Sequence, residues 1–216
     1  MIPKIVHYCW FGKGGVPPLN KKCIETWSKL EGFDFMLWDE SNSPMDDPLI
    51  KALYKKKQWA FISDYVRLYA LNKYGGVYLD TDIEIVKDLT PLLMFSAFIG
   101  LESEDKYNNA VMGAIQGHQF LVECMDFMRR NFESGKVLYS PEVVTSVLKF
   151  SHKINDVTLL SQEYFYPYNP YRNDSLSQLM FHDITQNTYA IHHWSNSWKS
   201  SMSILDYIKR VYKKLK

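Results

Sequence analysis

Asp80 and Asp82, two aspartates one residue apart, are the first candidates for chemistry in this sequence. Carboxylate oxygens are hard ligands, and two of them beyond the end of a strand can bind Mg²⁺ or Mn²⁺, which in turn can bind the phosphates of a nucleotide. An Asp-x-Asp motif alone is a weak signal, because short Asp-rich turns are common. An EF-hand loop is excluded, since Ile85 and Pro91 stand where that loop needs Gly and Glu.

The residues before this pair strengthen the prediction of a cation site. Gly75 and Gly76 allow a tight turn, and residues 77–79 form an apolar strand that ends directly at the first aspartate. Two carboxylates at the end of a buried strand would be costly without a cation. We therefore predict that the cation binds at this strand end.

Asp64 and Arg67 form a second candidate pair, three residues apart in an apolar helical segment. At that spacing the two side chains project from one helix face. One interpretation is an ion pair within the helix, worth a few tenths of a kcal/mol. The other is a binding role, in which Asp64 accepts a sugar hydroxyl and Arg67 neutralises phosphate charge. The sequence leaves both open.

Alternating strands and helices must position these residues. Strands are predicted at residues 2–10, 33–38, 77–79, 97–101 and 110–115, and helices at 19–30, 49–57, 60–74, 120–132 and 142–150. The alternation predicts one α/β domain, residues 1–202, with a mostly parallel central sheet flanked by helices. Such sheets bind ligands beyond the carboxyl ends of their strands, where the Gly-rich segment 12–18 and the aspartates both fall. Residues 164–171 are predicted to be an irregular aromatic loop.

Composition narrows the functional classes. The 216 residues include 25 Lys+Arg and 24 Asp+Glu, and the resulting net charge of +1 argues against a general nucleic-acid binder. Cys9, Cys23 and Cys124 contain no Cys-x-x-Cys pair, which excludes a disulfide framework or a zinc site of the usual spacing. With no signal-peptide pattern and no long apolar run, we expect a cytoplasmic protein.

Residues 203–216 have the pattern of a basic amphipathic helix, with Ile204, Ile208 and Leu215 on its apolar face and five cationic residues around the other face. Such a helix can lie on an anionic membrane surface. The same pattern fits a helix docked on the domain with a solvated cationic face. Peripheral membrane contact is therefore one of two expectations.

Three segments, in order and spacing, resemble glycosyltransferase family 32, whose members contain a DxD sugar-binding motif. They are Ile-Pro-Lys-Ile-Val-His-Tyr-Cys-Trp-Phe-Gly (2–12), Ser-Asp-Tyr-Val-Arg (63–67) and Tyr-Gly-Gly-Val-Tyr-Leu-Asp-Thr-Asp (74–82). The family includes fungal α-mannosyltransferases, capsular-polysaccharide enzymes and relatives of the large glucosylating toxins. The resemblance implies a GT-A fold, a nucleotide-sugar donor, a divalent cation and transfer with retention of anomeric configuration. A UDP-sugar is favoured, and GDP-mannose remains open.

The resemblance also implies roles for individual residues. Trp10 would stack on the nucleotide base, and Asp64 and Arg67 would hold the donor sugar. Asp80 would contact the ribose and a metal-bound water, and Asp82 would ligate the metal. These roles agree with the chemistry, because an aromatic face suits a planar base and a cation stabilises a diphosphate leaving group.

A further patch, residues 191–198, resembles the closing motif of the family. By its spacing to Trp198, which would touch the leaving phosphate, His193 is the predicted metal ligand and Asn196 a lesser contributor. The alternatives are His192 as the ligand, or a pair of structural histidines. A neutral imidazole is a reasonable third ligand for Mn²⁺.

By the same resemblance, Asn108 and Asn109 are the candidates to face the acceptor side of the donor sugar, and Asn109 is the preferred one; a turn would explain both residues equally well. His7 lies inside the first strand and is predicted to be a core histidine rather than a catalyst. Neither assignment rests on a motif of its own.

These inferences combine into a metal-dependent, retaining glycosyltransferase that uses a nucleotide sugar and a glycan or lipid-linked glycan acceptor. We expect a role in surface (capsular) polysaccharide synthesis at the cytoplasmic face of a membrane. One alternative is a metal-dependent nucleotidyltransferase or phosphohydrolase, which would also use acids at a strand end. Another is a non-catalytic sugar-binding or membrane-binding module.

Overall fold

The computed structural model describes residues 1–152, 154, 156–171 and 177–195. Its strands are β1 (Ile5–Cys9), β2 (Asp34–Trp38), β3 (Gly76–Leu79), β4 (Ile83–Ile85), β5 (Ala97–Ser103), β6 (Lys106–Ala114), β7 (Val157–Leu160) and β8 (Ala190–His192). Its α-helices are α1 (Pro18–Glu25), α2 (Pro48–Lys55), α3 (Trp59–Tyr74), α4 (Gln119–Glu133) and α5 (Ser140–Phe150).

In the described part of the chain, the central sheet has six strands in the order β2-β1-β3-β6-β5-β7. β6 runs antiparallel to both of its neighbours, and the other five strands share one direction. β4 and β8 pair with each other in a separate antiparallel ribbon. The predicted α/β class with a mostly parallel sheet is confirmed. The short strands β4, β7 and β8 were not predicted.

Both faces of the sheet are buried at its central strands, and each face has its own apolar cluster. One cluster packs the sheet against α2, α3, α4 and α5, with Tyr65 and Phe120 among its large side chains. The other packs the sheet against β4 and the segment after β7, with Trp27 and Phe165. Each such side chain contributes roughly 1.5–3 kcal/mol when it is fully buried. Coverage on both faces explains why β1 and β3 are almost continuously apolar and could be predicted.

The turn from α3 into β3 depends on Gly75 and Gly76, whose φ angles are +66° and +112°. Side chains other than hydrogen disfavour this region of φ. A Cβ on Gly76 would also stand 2.5 Å from the carbonyl oxygen of Ile5. The two glycines therefore let β3 lie directly beside β1, with Asp80 at its carboxyl end.

His7 on β1 is fully buried, as predicted for a core residue. Its Nε2 lies 2.8 Å from the Gly75 carbonyl oxygen, and its Nδ1 accepts a hydrogen bond of 3.1 Å from Trp38 Nε1. This arrangement needs a neutral ring with its proton on Nε2. Burial lowers the pKa of His7, although the Gly75 carbonyl partly opposes this.

The neutral His7 should make stability depend on pH. As pH falls below about 6.5, the unfolded chain binds a proton that the folded chain resists, so the free energy of unfolding should fall by up to about 1.4 kcal/mol per pH unit. His7→Gln keeps a donor for the Gly75 carbonyl and should flatten this dependence. Urea unfolding at pH 5, 6 and 7 measures it. Burial also lowers the pKa of His118, but both proteins contain that residue, so its contribution cancels in the comparison. Parallel curves for the two proteins would contradict the prediction.

None of the helices in the described residues has the length and apolar composition needed to cross a bilayer. Residue 202, the predicted end of the domain, lies outside the described residues, as does the predicted helix at 203–216. The choice between membrane contact and docking for that helix stays a prediction.

Candidate functional site

A cleft of about 580 Å³ opens beside the carboxyl ends of β1 and β3. Its walls come from the segment after β1, from α3, from the β5–β6 hairpin, from the start of α5 and from the segment after β8. Six predicted site residues line it: Trp10, Asp64, Arg67, Asp80, Asp82 and Asn109. The fold thus gathers these residues at the sheet edge where the α/β pattern places ligands.

Asp80, Asp82 and His192 form a compact group of potential metal ligands. One ligand atom from each residue lies within 4.8 Å of the others. The pairing of β4 with β8 creates this group, because it sets His192 opposite Ile83 and therefore beside Asp82. The Asp82 carboxylate also accepts a hydrogen bond of 2.8 Å from the Ser195 N–H. These contacts fix Asp82 in the wall of the cleft.

The structure favours His192 over His193, the predicted ligand. His193 Nε2 lies 2.7 Å from Glu84 Oε2, whereas His192 Nε2 lies 3.4 Å from Asp82 Oδ2. Successive side chains of an extended chain point in opposite directions, so only one of two adjacent histidines can face the aspartates. Asn196 and Trp198, the other two predicted residues of this patch, lie outside the described residues.

Two opposed effects set the charge of this group. Burial acts to raise the pKa of Asp82, but His192 and the Ser195 N–H outweigh it and hold the pKa well below its usual range. Burial opposes protonation of His192, yet the Asp82 carboxylate raises the pKa of its ring. Burial raises the pKa of Asp80 in spite of Arg67. Asp82 is therefore the most firmly ionised of the acids.

The donor set fits a divalent cation. Two carboxylates and an imidazole are ligands that Mn²⁺ and, less readily, Mg²⁺ accept. In addition, Nδ1 of His192 is buried and has no hydrogen-bond partner among the described residues. Buried polar atoms are rarely left unpaired, so this ring has capacity to bind a further group.

Arg67 joins the two predicted pairs into one network. Its guanidinium lies 2.8 Å from Asp64 Oδ1 and 3.2 Å from Asp80 Oδ1, and it donates to the Asn109 carbonyl oxygen at 2.9 Å. Burial raises the pKa of Asp64 to about 6 although Arg67 opposes it. The ion pair predicted as one alternative is therefore present, and it extends to the Asp-x-Asp motif.

The five N–H donors of Arg67 all face protein oxygens. Besides the contacts already given, Nε lies 3.3 Å from the Ser63 carbonyl oxygen and Nη1 lies 3.4 Å from Asp80 Oδ2. The face of the guanidinium lies 4.5 Å from the centre of the Tyr78 ring. Because these donors already contact the protein, the role of Arg67 in this structure is to position Asp64 and Asp80.

Trp10 lines the cleft just after β1. Its indole N–H donates a hydrogen bond of 2.8 Å to the Gly14 carbonyl oxygen, which folds the Gly-rich segment back over it. Gly12, with φ of +84°, packs against Trp59, whose indole atoms would lie 3.1 Å from a Cβ at that position. Trp59 is a cleft residue that the sequence motifs did not indicate.

Asn109 lies in a bulge of β6. The β5–β6 register passes from Ile99 opposite Met112 to Gly100 opposite Asn108, which leaves residues 109–111 in excess. Asn109 is fully buried, and both polar atoms of its amide have no hydrogen-bond partner among the described residues. Bulges beside active sites commonly redirect a side chain in this way.

Tyr166 holds this bulge. Its hydroxyl donates to the Asn108 carbonyl oxygen at 2.8 Å and accepts from the Val111 N–H at 3.3 Å. Tyr166 belongs to residues 164–171, which were predicted to be an irregular aromatic loop. The sequence of that segment did not indicate that Tyr166 would support β6. The cause is tertiary, because the hydroxyl and the bulge are more than fifty residues apart in the sequence.

The two histidines give a direct test of the proposed metal group. His192→Ala should weaken Mn²⁺ binding roughly tenfold to a hundredfold, about 1.4 to 2.8 kcal/mol, because it removes one of three ligands. His193→Ala should leave the affinity within about twofold, since its ring faces Glu84. Calorimetric titration of each protein with Mn²⁺ measures this difference. A greater loss in the His193 variant would restore the assignment made from the sequence.

The sequence also matches two family models. One is the glycosyltransferase sugar-binding region containing the DXD motif, over residues 17–99. The other is the alpha 1,4-glycosyltransferase conserved region, over residues 114–215. The first model contains the Asp64–Arg67 pair and the DxD motif, and the second contains Asn196 and Trp198 of the C-terminal patch.

Two relatives show the same relationship. The chain is 34% identical over 153 residues to inositol phosphoceramide mannosyltransferase 3 of Schizosaccharomyces pombe, which is 64% of this chain and 42% of that protein. It is 30% identical over 154 residues to lactosylceramide 4-alpha-galactosyltransferase of Mus musculus, again 64% of this chain and 42% of that protein. The aligned region thus spans less than half of the length of either relative.

Solved structures show the fold. PaToxG glycosyltransferase superposes with a TM-score of 0.57 at 17% identity, covering 69% of this chain and 70% of that one. The glycosyltransferase GlyE of Streptococcus pneumoniae TIGR4 gives 0.57 at 11% identity, covering 99% and 64%. The fold is therefore GT-A, with a DxD motif in the wall of its cleft. The sequence thus matches the model of the DXD-containing glycosyltransferases over part of its length, and the predicted resemblance to family 32 is confirmed.

Proposed function

We propose that this protein transfers a sugar from a nucleotide donor, preferentially a UDP-sugar, to a hydroxyl of a glycan or glycolipid. The reaction would use a divalent cation and retain the anomeric configuration. The observation that carries the proposal is the grouping of Asp80, Asp82 and His192 in a cleft that also contains Trp10 and Asp64. Retention and the preference for UDP rest on the family resemblance.

Asp80, Asp82 and His192 would hold Mn²⁺ or Mg²⁺. When bound, the cation would neutralise charge on the diphosphate and so stabilise it as a leaving group. Asp82 is suited to this task because its neighbours keep it ionised in a buried position. Arg67 contributes by holding Asp80 in place through contacts to both of its oxygens.

The remaining residues would bind the organic part of the donor. The indole of Trp10 offers an apolar face for stacking on the base. Asp64 can accept a hydroxyl of the donor sugar, and the unpaired amide of Asn109 can both donate to and accept from a second hydroxyl. These residues orient the sugar without forming a covalent bond to it, and no nucleophile from the protein is proposed.

The names of the relatives support a glycolipid acceptor, since one acts on inositol phosphoceramide and the other on lactosylceramide. A role in surface polysaccharide synthesis, a cytoplasmic location and contact with a membrane stay predictions. These three predictions concern the whole protein, whereas the alignments cover 64% of this chain and 42% of each relative.

A donor screen tests the proposal. Purified protein with Mn²⁺ is incubated with UDP-glucose, UDP-galactose, UDP-N-acetylglucosamine or GDP-mannose, and release of the nucleotide is followed with and without octyl lactoside. We expect turnover of one donor, its loss in EDTA, and a product whose anomeric configuration by NMR equals that of the donor. Asp82→Ala is the blank. Equal turnover by the blank, or turnover of none of the donors by the parent protein, would contradict the proposal.

A further inference from the structure

Glu102 on β5 places a carboxylate in the wall of the cleft. The residue is 7% exposed, and its Oε2 accepts a hydrogen bond of 2.6 Å from Asn108 Nδ2. Its Oε1 lies 3.1 Å from Nζ of Lys106, whose side chain is 46% exposed. Glu102, Lys106 and Asn108 all line the cleft. A buried carboxylate held from two sides is fixed in direction.

The order of the strands places Glu102 relative to the other groups. Trp10 follows β1, Asp80 follows β3, Asn109 lies on β6 and Glu102 lies on β5, and these strands are successive neighbours in the sheet. Neighbouring strands are about 4.8 Å apart, so β5, which carries Glu102, lies about 10 Å to the side of β3. If the base lies at Trp10 and the diphosphate at Asp80, the sugar lies near Asn109. Glu102 then stands where the next sugar must enter.

Two features indicate that this wall binds a polar ligand. A carboxylate has about four lone-pair positions, and the two protein contacts use two of them. The neighbouring Asn109 is fully buried, and its amide has no partner in the described part of the chain. A ligand with several hydroxyls would satisfy both groups at once.

We propose that Glu102 binds a hydroxyl of the acceptor and that Lys106 is the positioning residue that holds its carboxylate. The part of the acceptor that contacts Glu102 is therefore a neutral polyhydroxyl ring, because an anionic group at that position would be repelled by the carboxylate. This inference rests on the proposed glycosyltransferase function and adds a determinant of acceptor specificity to it. If Glu102 served only to tie the hairpin, its removal would change stability but not the recognition of the acceptor.

Glu102→Gln tests the proposal, because the amide can still accept from Asn108 but loses the charge. Donor hydrolysis without acceptor is measured beside transfer, and transfer should fall more than hydrolysis does. The KM for a soluble neutral acceptor, octyl lactoside or octyl α-mannoside, should rise about tenfold to a hundredfold, the size expected for a hydrogen bond to a charged group. Asp105→Asn is the matched control, since Asp105 is a carboxylate of the same hairpin with a 90% exposed side chain.

Lys106→Gln is the second variant, and it tests the same contact if Glu102→Gln proves too unstable to assay. It should raise the KM for the acceptor severalfold with kcat nearly unchanged. Parallel loss of hydrolysis and transfer in both variants, or no change in either, would overturn the role of Glu102. A parent protein that hydrolyses its donor but uses neither octyl glycoside would overturn the neutral acceptor class. A parent protein that turns over no donor would overturn the proposed function itself, and the assignment with it.

Discussion

Asp82→Asn is expected to lower cation-dependent donor turnover about a thousandfold, a loss of ~4 kcal/mol of transition-state stabilisation. The amide has the shape of the carboxylate and can still accept from the Ser195 N–H, so the local structure should persist. It lacks the negative charge that a divalent cation needs, and Asp82 is the most firmly ionised ligand of the group. Steady-state kinetics with Mn²⁺, together with calorimetric titration of the metal, measures the effect.

Glu84→Gln is the matched control for that prediction. Glu84 is also an acid of the segment after β3, but its carboxylate pairs with His193. We expect this variant to turn over its donor within about twofold of the parent protein. If Asp82→Asn kept its affinity for Mn²⁺, or if Glu84→Gln lost as much activity as Asp82→Asn, the group Asp80, Asp82 and His192 would not be the metal site.

The elements that carry the DxD motif could be predicted because their signals are local. The buried strand before Asp80, the glycine pair before that strand and the helix containing Asp64 and Arg67 each follow from composition and periodicity over a few residues. β6 shows the limit of such signals, because a strand looks the same in either direction. Only its pairing with β3 and β5 makes it antiparallel.

The parts of the site that could not be predicted depend on contacts between distant residues. β4 and β8 are three residues each, too short for a periodic signal, and it is their pairing that brings His192 to Asp82. A shift of one residue in the β4–β8 pairing would place His193, instead of His192, beside Asp82. The bulge that frees the side chain of Asn109 likewise depends on Tyr166, which lies on a segment without regular structure.

Arg67→Met should lower the free energy of unfolding by about 3–5 kcal/mol, the usual cost of leaving buried charge without a partner. Arg67 is 5% exposed and contacts both Asp64 and Asp80, and Met fills a similar volume without a charge. The two carboxylates would then face each other in a buried setting. Urea unfolding of the protein without added metal measures the loss.

The double variant Asp64→Asn, Arg67→Met separates charge from packing. It removes one of the stranded carboxylates while keeping the same change of volume at Arg67, so it should regain about half of the lost stability. Arg67→Lys should not match the parent protein, because one ammonium group cannot reach Asp64, Asp80 and the Asn109 carbonyl oxygen with the fixed geometry of a guanidinium. If the free energy of unfolding of Arg67→Met lay within 1 kcal/mol of that of the parent protein, solvent rather than Arg67 would compensate the charge of the two aspartates. The Asp-x-Asp motif would then owe its position to the strand that precedes it and not to this ion-pair network.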